Sequence, residues 1–100
     1  MSRTVEWSEL NAKYVLPARR MLLGGRGAQG EELLRQGLEE TGDAWLAYQL
    51  AEAIVTLAPE DASRLEEACA FYDQAVKRLA GTLHRQLSEA ARDKARVLLE

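Results

Sequence analysis

The sequence has few of the residues on which catalytic and metal sites depend. Its 100 residues include one cysteine, Cys69, and one histidine, His84. A single cysteine excludes an internal disulfide bond and any cysteine-rich zinc site. With only one histidine as well, most nucleophile–base pairs and histidine-based metal sites lack the residues to form them. We therefore expect a protein that is not an enzyme and that binds no metal and no cofactor.

Long apolar runs and excess basic charge are also missing. No run is long enough to span a bilayer, and residues 1–10 contain two acids and no apolar stretch of the kind found in a secretory signal. The formal net charge is −3, which argues against a general nucleic-acid binder. We expect a cytoplasmic protein that binds neither membranes nor nucleic acids.

Helix-forming residues dominate what is present. The chain has 16 leucines and 16 alanines against 10 β-branched residues. Leucine and alanine lose little conformational freedom on entering a helix, whereas β-branched residues lose more. One hundred residues are enough for one small domain. We therefore predict an all-α fold in which residues 1–100 form a single helical domain.

Apolar residues recur at helical spacing in five segments, which proline and glycine separate. The predicted helices are residues 5–23, 31–40, 44–58, 64–80 and 82–99. Pro17 falls inside the first of them and predicts a kink or a break. Residues 24–30 contain four glycines and predict a loop between the first two helices.

The third predicted helix is apolar around most of its circumference. Its polar positions, Gln49, Glu52 and Thr56, lie on one narrow stripe. A helix of this kind has to be covered on several sides. We therefore place the third helix at the centre of the domain.

Two tryptophans indicate an internal repeat. Trp7 and Trp45 are 38 residues apart, and a further step of 38 reaches Leu83 near the start of the last predicted helix. At the same offset, small residues coincide with small ones and large apolar residues with large ones. Leu34 coincides with Tyr72 in this way.

This pattern resembles the tetratricopeptide repeat family, whose repeats are helix hairpins. Trp7, Leu10 and Tyr14 reproduce the spacing of the first helix of such a repeat. The spacing of its second helix is reproduced by Ala68, Tyr72 and Ala75. The repeat is longer than the family's length of about 34 residues, and the second unit lacks the glycine and the tyrosine of its first helix.

The resemblance implies two hairpins, residues 5–42 and 43–81, followed by a terminal capping helix at 82–99. The alternative is a compact five-helix bundle built from the same helices, in which the tryptophan spacing is coincidental. Both arrangements share the five predicted helices, so the periodicity alone does not separate them.

The resemblance also implies a binding groove. In this family the first helices of successive hairpins line a concave groove that holds peptides or helices. Transferred to the matching positions, the implied partner-binding residues are Val15, Leu16, Leu46, Leu50, Ile54, Arg85 and Arg92. The large apolar surface of the third helix independently favours an interface. The two arginines would favour a ligand that carries an acidic group.

The sequence therefore predicts a non-enzymatic protein–protein interaction module, such as an adaptor, a scaffold or a chaperone-like protein. Its partner would be a peptide or helix of another protein. The alternative is a small structural or regulatory protein whose apolar surface is covered by a second copy of itself. A third reading is a phosphate or nucleotide binder, because residues 25–30 match G-x-G-x-x-G. That motif requires a preceding strand, and a helical pattern precedes it here.

Overall fold

A computed structural model describes residues 7–78 and 83–99. Within those ranges the chain is all-α, as predicted, with five helices and no strand. Helix α1 runs without interruption through the segments Trp7–Leu10, Asn11–Val15 and Leu16–Leu23. The other helices are α2 at Gly27–Thr41, α3 at Ala44–Leu57, α4 at Ala62–Arg78 and α5 at Leu83–Leu99.

The predicted irregularity at Pro17 takes the form of a π-helical turn. This turn spans Asn11–Val15, and the N–H of Leu16 donates to the carbonyl oxygen of Asn11, five residues earlier. Proline has no N–H, and its ring crowds the carbonyl of the residue four positions before it. A wider turn before the proline relieves that crowding. Helix α1 therefore continues to Leu23 instead of breaking.

Helix α2 begins at Gly27, so the predicted loop at residues 24–30 is wrong over most of its length. The glycines serve close packing instead. A Cβ atom on Gly30 would lie 2.8 Å from the carbonyl oxygen of Ala18 in α1. A Cβ atom on Gly27 would overlap the side chain of Leu57 in α3. Only residues without a Cβ atom allow helix surfaces to approach this closely.

The turn between α2 and α3 follows directly from two residues. Gly42 closes α2 with a φ of 65°, in the left-handed region that glycine adopts without strain. The next residue, Asp43, caps α3, because its Oδ1 atom accepts a hydrogen bond of 2.8 Å from the N–H of Trp45. The two helices therefore form a tight antiparallel hairpin.

Each helix packs mainly on its neighbours in the sequence. The central position predicted for the third helix is confirmed, because the side chains of Leu46, Leu50 and Ile54 in α3 are fully buried. Helix α3 packs between α2 and α4, and α5 touches it as well. Buried residues of α1, including Leu10 and Val15, complete the apolar core around it.

Ion pairs join α2 to α4. The guanidinium of Arg35 contacts Glu31 at 3.0 Å and Glu67 at 3.4 Å. Arg64 contacts Glu67 at 2.7 Å and also pairs with Glu31. Because the earlier residues of α2 meet the earlier residues of α4, the two helices run in the same direction.

Candidate binding cavity

Four of the seven residues predicted to line an open groove belong to the core. Val15 is 3% exposed, and Leu46, Leu50 and Ile54 are not exposed at all. The prediction that Leu46, Leu50 and Ile54 form an accessible lining is therefore wrong. Helices α1 and α5 contribute to the cover of α3 in addition to its two neighbours along the chain, so these side chains are enclosed.

The remaining three predicted residues have different positions. Leu16 is on the surface, with 49% of its area exposed. Arg92 is wrongly predicted as a free rim residue, because its Nη1 atom pairs with Asp73 at 3.2 Å between α5 and α4. The side chain of Arg85 lies outside the described part of the structure. The predicted set therefore does not come together as one site.

A cavity of about 340 Å³ nevertheless opens between α1 and α3, two of the three helices that were expected to face the ligand. Leu34 of α2 contributes to its lining. The residues of α1 that line it are Val15, Arg19, Leu22 and Leu23, and those of α3 are Tyr48, Gln49, Glu52, Ala53 and Thr56. Of the seven predicted residues, Val15 alone belongs to this lining.

The polar stripe of α3 faces this cavity. Gln49, Glu52 and Thr56 follow one another at spacings of three and four residues, which places them on one helix face. The stripe is visible in the sequence as the polar interruption of an apolar helix. This polar stripe is the sequence feature that indicates the cavity. The groove was predicted instead on the apolar residues beside the stripe.

Gln49 is the most informative residue of the lining. Its side chain is only 5% exposed, and its Oε1 atom lies 3.5 Å from the Nη2 atom of Arg19, which donates to it. Its Nε2 donor has no hydrogen-bond partner among the described residues. A buried donor without a partner costs about 1–3 kcal/mol. A ligand acceptor would recover this energy once the amide turned its Nε2 atom, which is itself buried, towards the cavity.

Aromatic residues stand beside the polar stripe. The ring of Tyr48 stacks on Trp45 with centroids 5.0 Å apart, and it lies 5.9 Å from the ring of Tyr72. Burial raises the pKa of Tyr48 to about 12, and the carboxylate of Glu52 adds to the shift. The same two causes raise the pKa of Tyr72 above its ordinary value. Both phenols therefore stay neutral at physiological pH.

All three tyrosines should resist ionisation in the folded protein. Tyr14 donates a hydrogen bond of 2.5 Å to Glu40, and this bond, followed by burial, raises the pKa of Tyr14. In each case folding favours the neutral phenol, so the folded pKa exceeds the unfolded value of about 10. The stability that this contributes is complete below pH 10 or so. It is lost as the pH rises through the raised pKa values, and for Tyr48 that pKa is about 12.

A titration followed by the ultraviolet absorbance of tyrosinate tests this expectation. The native protein should show no tyrosine that ionises near the ordinary pKa of about 10. In denaturant, all three should return to that value. A native tyrosine that titrates at the ordinary pKa would show that its phenol is open to water.

The residues that suggested other chemistry are placed elsewhere. Cys69 is buried, as its position on an apolar stripe indicates, and burial raises the pKa of its thiol. Among the described residues, no three side chains of the metal-binding types gather in one place. In the glycine-rich segment, Gly27 and Gly30 face Leu57 and Ala18 inside helix contacts. The segment follows helix α1 and not the strand that a dinucleotide-binding motif requires.

Comparison with known protein families, with curated proteins and with solved structures finds no match to this chain. The resemblance to tetratricopeptide repeats therefore stays a prediction from the residues quoted above. In the described ranges, no helix has the length and apolar character needed to cross a membrane.

Proposed function

We propose that this protein is a non-enzymatic interaction module that binds a peptide or helix of another protein in the cavity between α1 and α3. The observation that carries the proposal is the buried side chain of Gln49, which lines the cavity and whose Nε2 donor has no hydrogen-bond partner in the part of the chain that the structure describes. Buried polar groups normally find a partner within the protein. One that does not, and that borders an open cavity, favours a partner supplied by a ligand.

The chemistry of the lining suits a peptide. The apolar part of the cavity wall includes Leu22, Leu23 and Ala53. Gln49 offers a donor and the carboxylate of Glu52 an acceptor, and the two are neighbours on one face of α3. A peptide amide has one carbonyl acceptor and one N–H donor. It can therefore accept a hydrogen bond from Gln49 and donate one to Glu52.

The size of the cavity also favours a small part of a partner. Ligand sites span about 300–1,000 Å³, and the cavity of about 340 Å³ lies at the low end of that range. Such a volume holds one or two inserted side chains. Inserted anchors of this kind are typical of helix-in-groove and related peptide recognition.

The lining also supports a binding role over a catalytic one. It contains no cysteine, histidine, lysine or serine. Its titratable groups are Arg19, Glu52 and Tyr48, and the phenol is held neutral by its raised pKa. A nucleophile paired with a base does not occur among these residues.

A matched pair of tryptophan variants tests the site. Thr56 is exposed and lines the cavity, so Thr56→Trp should fill its mouth and weaken the binding of a selected peptide by about tenfold or more. Ala70 is exposed on α4 and is not in the lining, so Ala70→Trp should leave binding unchanged. The measurement is a fluorescence titration with peptides selected against the wild-type protein from a random display library.

Two outcomes would contradict the proposal. In the first, selection yields no peptide that binds in solution, and in the second, the selected peptides bind both variants equally well. In the second case the peptides would occupy another surface. Circular dichroism of both variants checks that the tryptophans leave the helices intact.

Self-association is the second candidate function, and a specific observation favours it. Leu16 and Leu23 of α1 are 49% and 90% exposed, and exposed apolar side chains are often covered by a symmetric copy. Light scattering over a concentration series separates the two candidates. A monomer leaves the cavity open to a foreign peptide, whereas a stable dimer favours a second copy as the natural occupant.

A further inference from the structure

Basic charge is concentrated in one short part of this acidic protein. Residues 10–30 contain four basic residues, Lys13, Arg19, Arg20 and Arg26, and no acid, although the chain as a whole carries a net charge of −3. This stretch forms most of α1, the turn after it and the start of α2. The basic charge is therefore concentrated on α1 and on the turn that follows it.

Three of these charges have no carboxylate partner in the described part of the chain. Arg19, Arg20 and Arg26 are exposed, and among the described residues no carboxylate lies within ion-pair distance of them. Of the five other arginines whose side chains the structure describes, four pair with a carboxylate, namely Arg35, Arg64, Arg92 and Arg96. The fifth, Arg78, donates to the carbonyl oxygen of Gly42.

Apolar side chains are exposed on the same helix as these charges. Leu23 is 90% exposed and Leu16 is 49% exposed. We call Leu16, Arg19, Arg20, Leu23 and Arg26 the basic rim. It is continuous with the cavity, because Arg19 and Leu23 belong to both.

We infer that the ligand of the cavity is an acidic amphipathic peptide. This inference rests on the proposed function, since it names the chemistry of the partner for the same site. The apolar side chains of the peptide enter between Leu22, Leu23 and Ala53. Its carboxylates remain outside on Arg20 and Arg26, where the arginines form charge-assisted hydrogen bonds to them.

Two features decide between this occupant and other acidic ones. The inner cavity contains the carboxylate of Glu52, which repels a carboxylate and keeps the acidic groups of the peptide at the rim. A flat anionic membrane would meet the same arginines, but it would leave the cavity and the unpartnered Gln49 donor unfilled. A peptide can fill the cavity and contact the arginines of the basic rim at the same time.

Two synthetic peptides of the same length test the inference. They share their leucine positions and have capped ends, and their polar positions are all glutamate in one and all lysine in the other. We expect the glutamate peptide to bind at least about tenfold more tightly, and its affinity to fall as salt is added. Fluorescence anisotropy at low and high salt measures both effects.

Charge-reversal variants of the protein locate the interaction. The double variant Arg20→Glu, Arg26→Glu should weaken binding of the glutamate peptide by about tenfold or more. The matched control is Lys77→Glu, Lys94→Glu, which reverses two exposed charges on α4 and α5 and should change the affinity little. All four side chains are exposed, so both variants should keep their helix content in circular dichroism.

The outcomes separate this inference from the proposed function. If both peptides bind equally and Thr56→Trp abolishes their binding, the cavity is a peptide site and the inference of an acidic ligand is overturned. Equal loss of affinity in the two charge-reversal variants overturns it as well. If neither peptide binds but vesicles of phosphatidylcholine and phosphatidylserine do, the basic rim recognises an anionic lipid surface instead of a peptide.

Discussion

Replacing Leu50 by arginine is expected to unfold the protein. Leu50 is fully buried in the middle of α3, the central helix. A guanidinium at this position would be buried without a carboxylate beside it, at a cost of several kcal/mol. Small domains are stable by only about 5–15 kcal/mol. Far-ultraviolet circular dichroism should therefore show a large loss of helix at room temperature.

A milder variant and a surface control make this experiment quantitative. Leu50→Ala should fold but lose about 2–5 kcal/mol in denaturant titrations, because it removes buried methyl groups and leaves a void. Leu16→Arg places the same new charge on α1 at a residue that is 49% exposed, and it should leave the helix content unchanged. A helical and stable Leu50→Arg protein would show instead that this side chain faces a groove, as the sequence argument supposed.

Replacing Gly30 by alanine is expected to destabilise the protein, although alanine is the better helix former. On an exposed helix surface the change would gain up to about 1 kcal/mol. Here the new Cβ atom would lie 2.8 Å from the backbone carbonyl oxygen of Ala18. Because a backbone atom cannot rotate away, α1 and α2 must move apart, which costs about 1–3 kcal/mol.

Thermal unfolding of two glycine variants tests this contact. In a domain of this size, each kcal/mol lowers Tm by about 4–8 °C. Gly27→Ala is the control, since its Cβ atom would meet the end of the Leu57 side chain, which is 42% exposed and free to turn aside. Gly27→Ala should therefore have the smaller effect. A Tm for Gly30→Ala above that of the wild type would contradict the close approach of α1 and α2.

The sequence was sufficient for the helices because their apolar periodicity is a local property. The central position of α3 could also be predicted, since a helix with one narrow polar stripe has to be surrounded. The start of α2 could not be predicted. Glycine at positions 27 and 30 is equally compatible with a loop and with close packing, and only the neighbours Leu57 and Ala18 decide between them.

The candidate site could likewise be predicted only in part from the sequence. A polar stripe on a helix indicates contact with water, but it does not say whether the water is bulk solvent or fills a cavity. Gln49 belongs to such a stripe, yet it is 5% exposed and faces the space between two helices. Its neighbour across that space, Arg19, is 30 positions away in the chain, so no local pattern connects them.

The way in which α1 is attached has a mechanical consequence. The segment Leu16–Leu23 packs its backbone on α2, while it reaches α3 chiefly through side chains across the cavity. The segment is thus held along one edge, where Ala18 lies against Gly30. A rotation of the segment about this contact would change the width of the opening while leaving the ion pairs that join α2 to α4 in place. Such a rotation would let the same site accept side chains of different sizes.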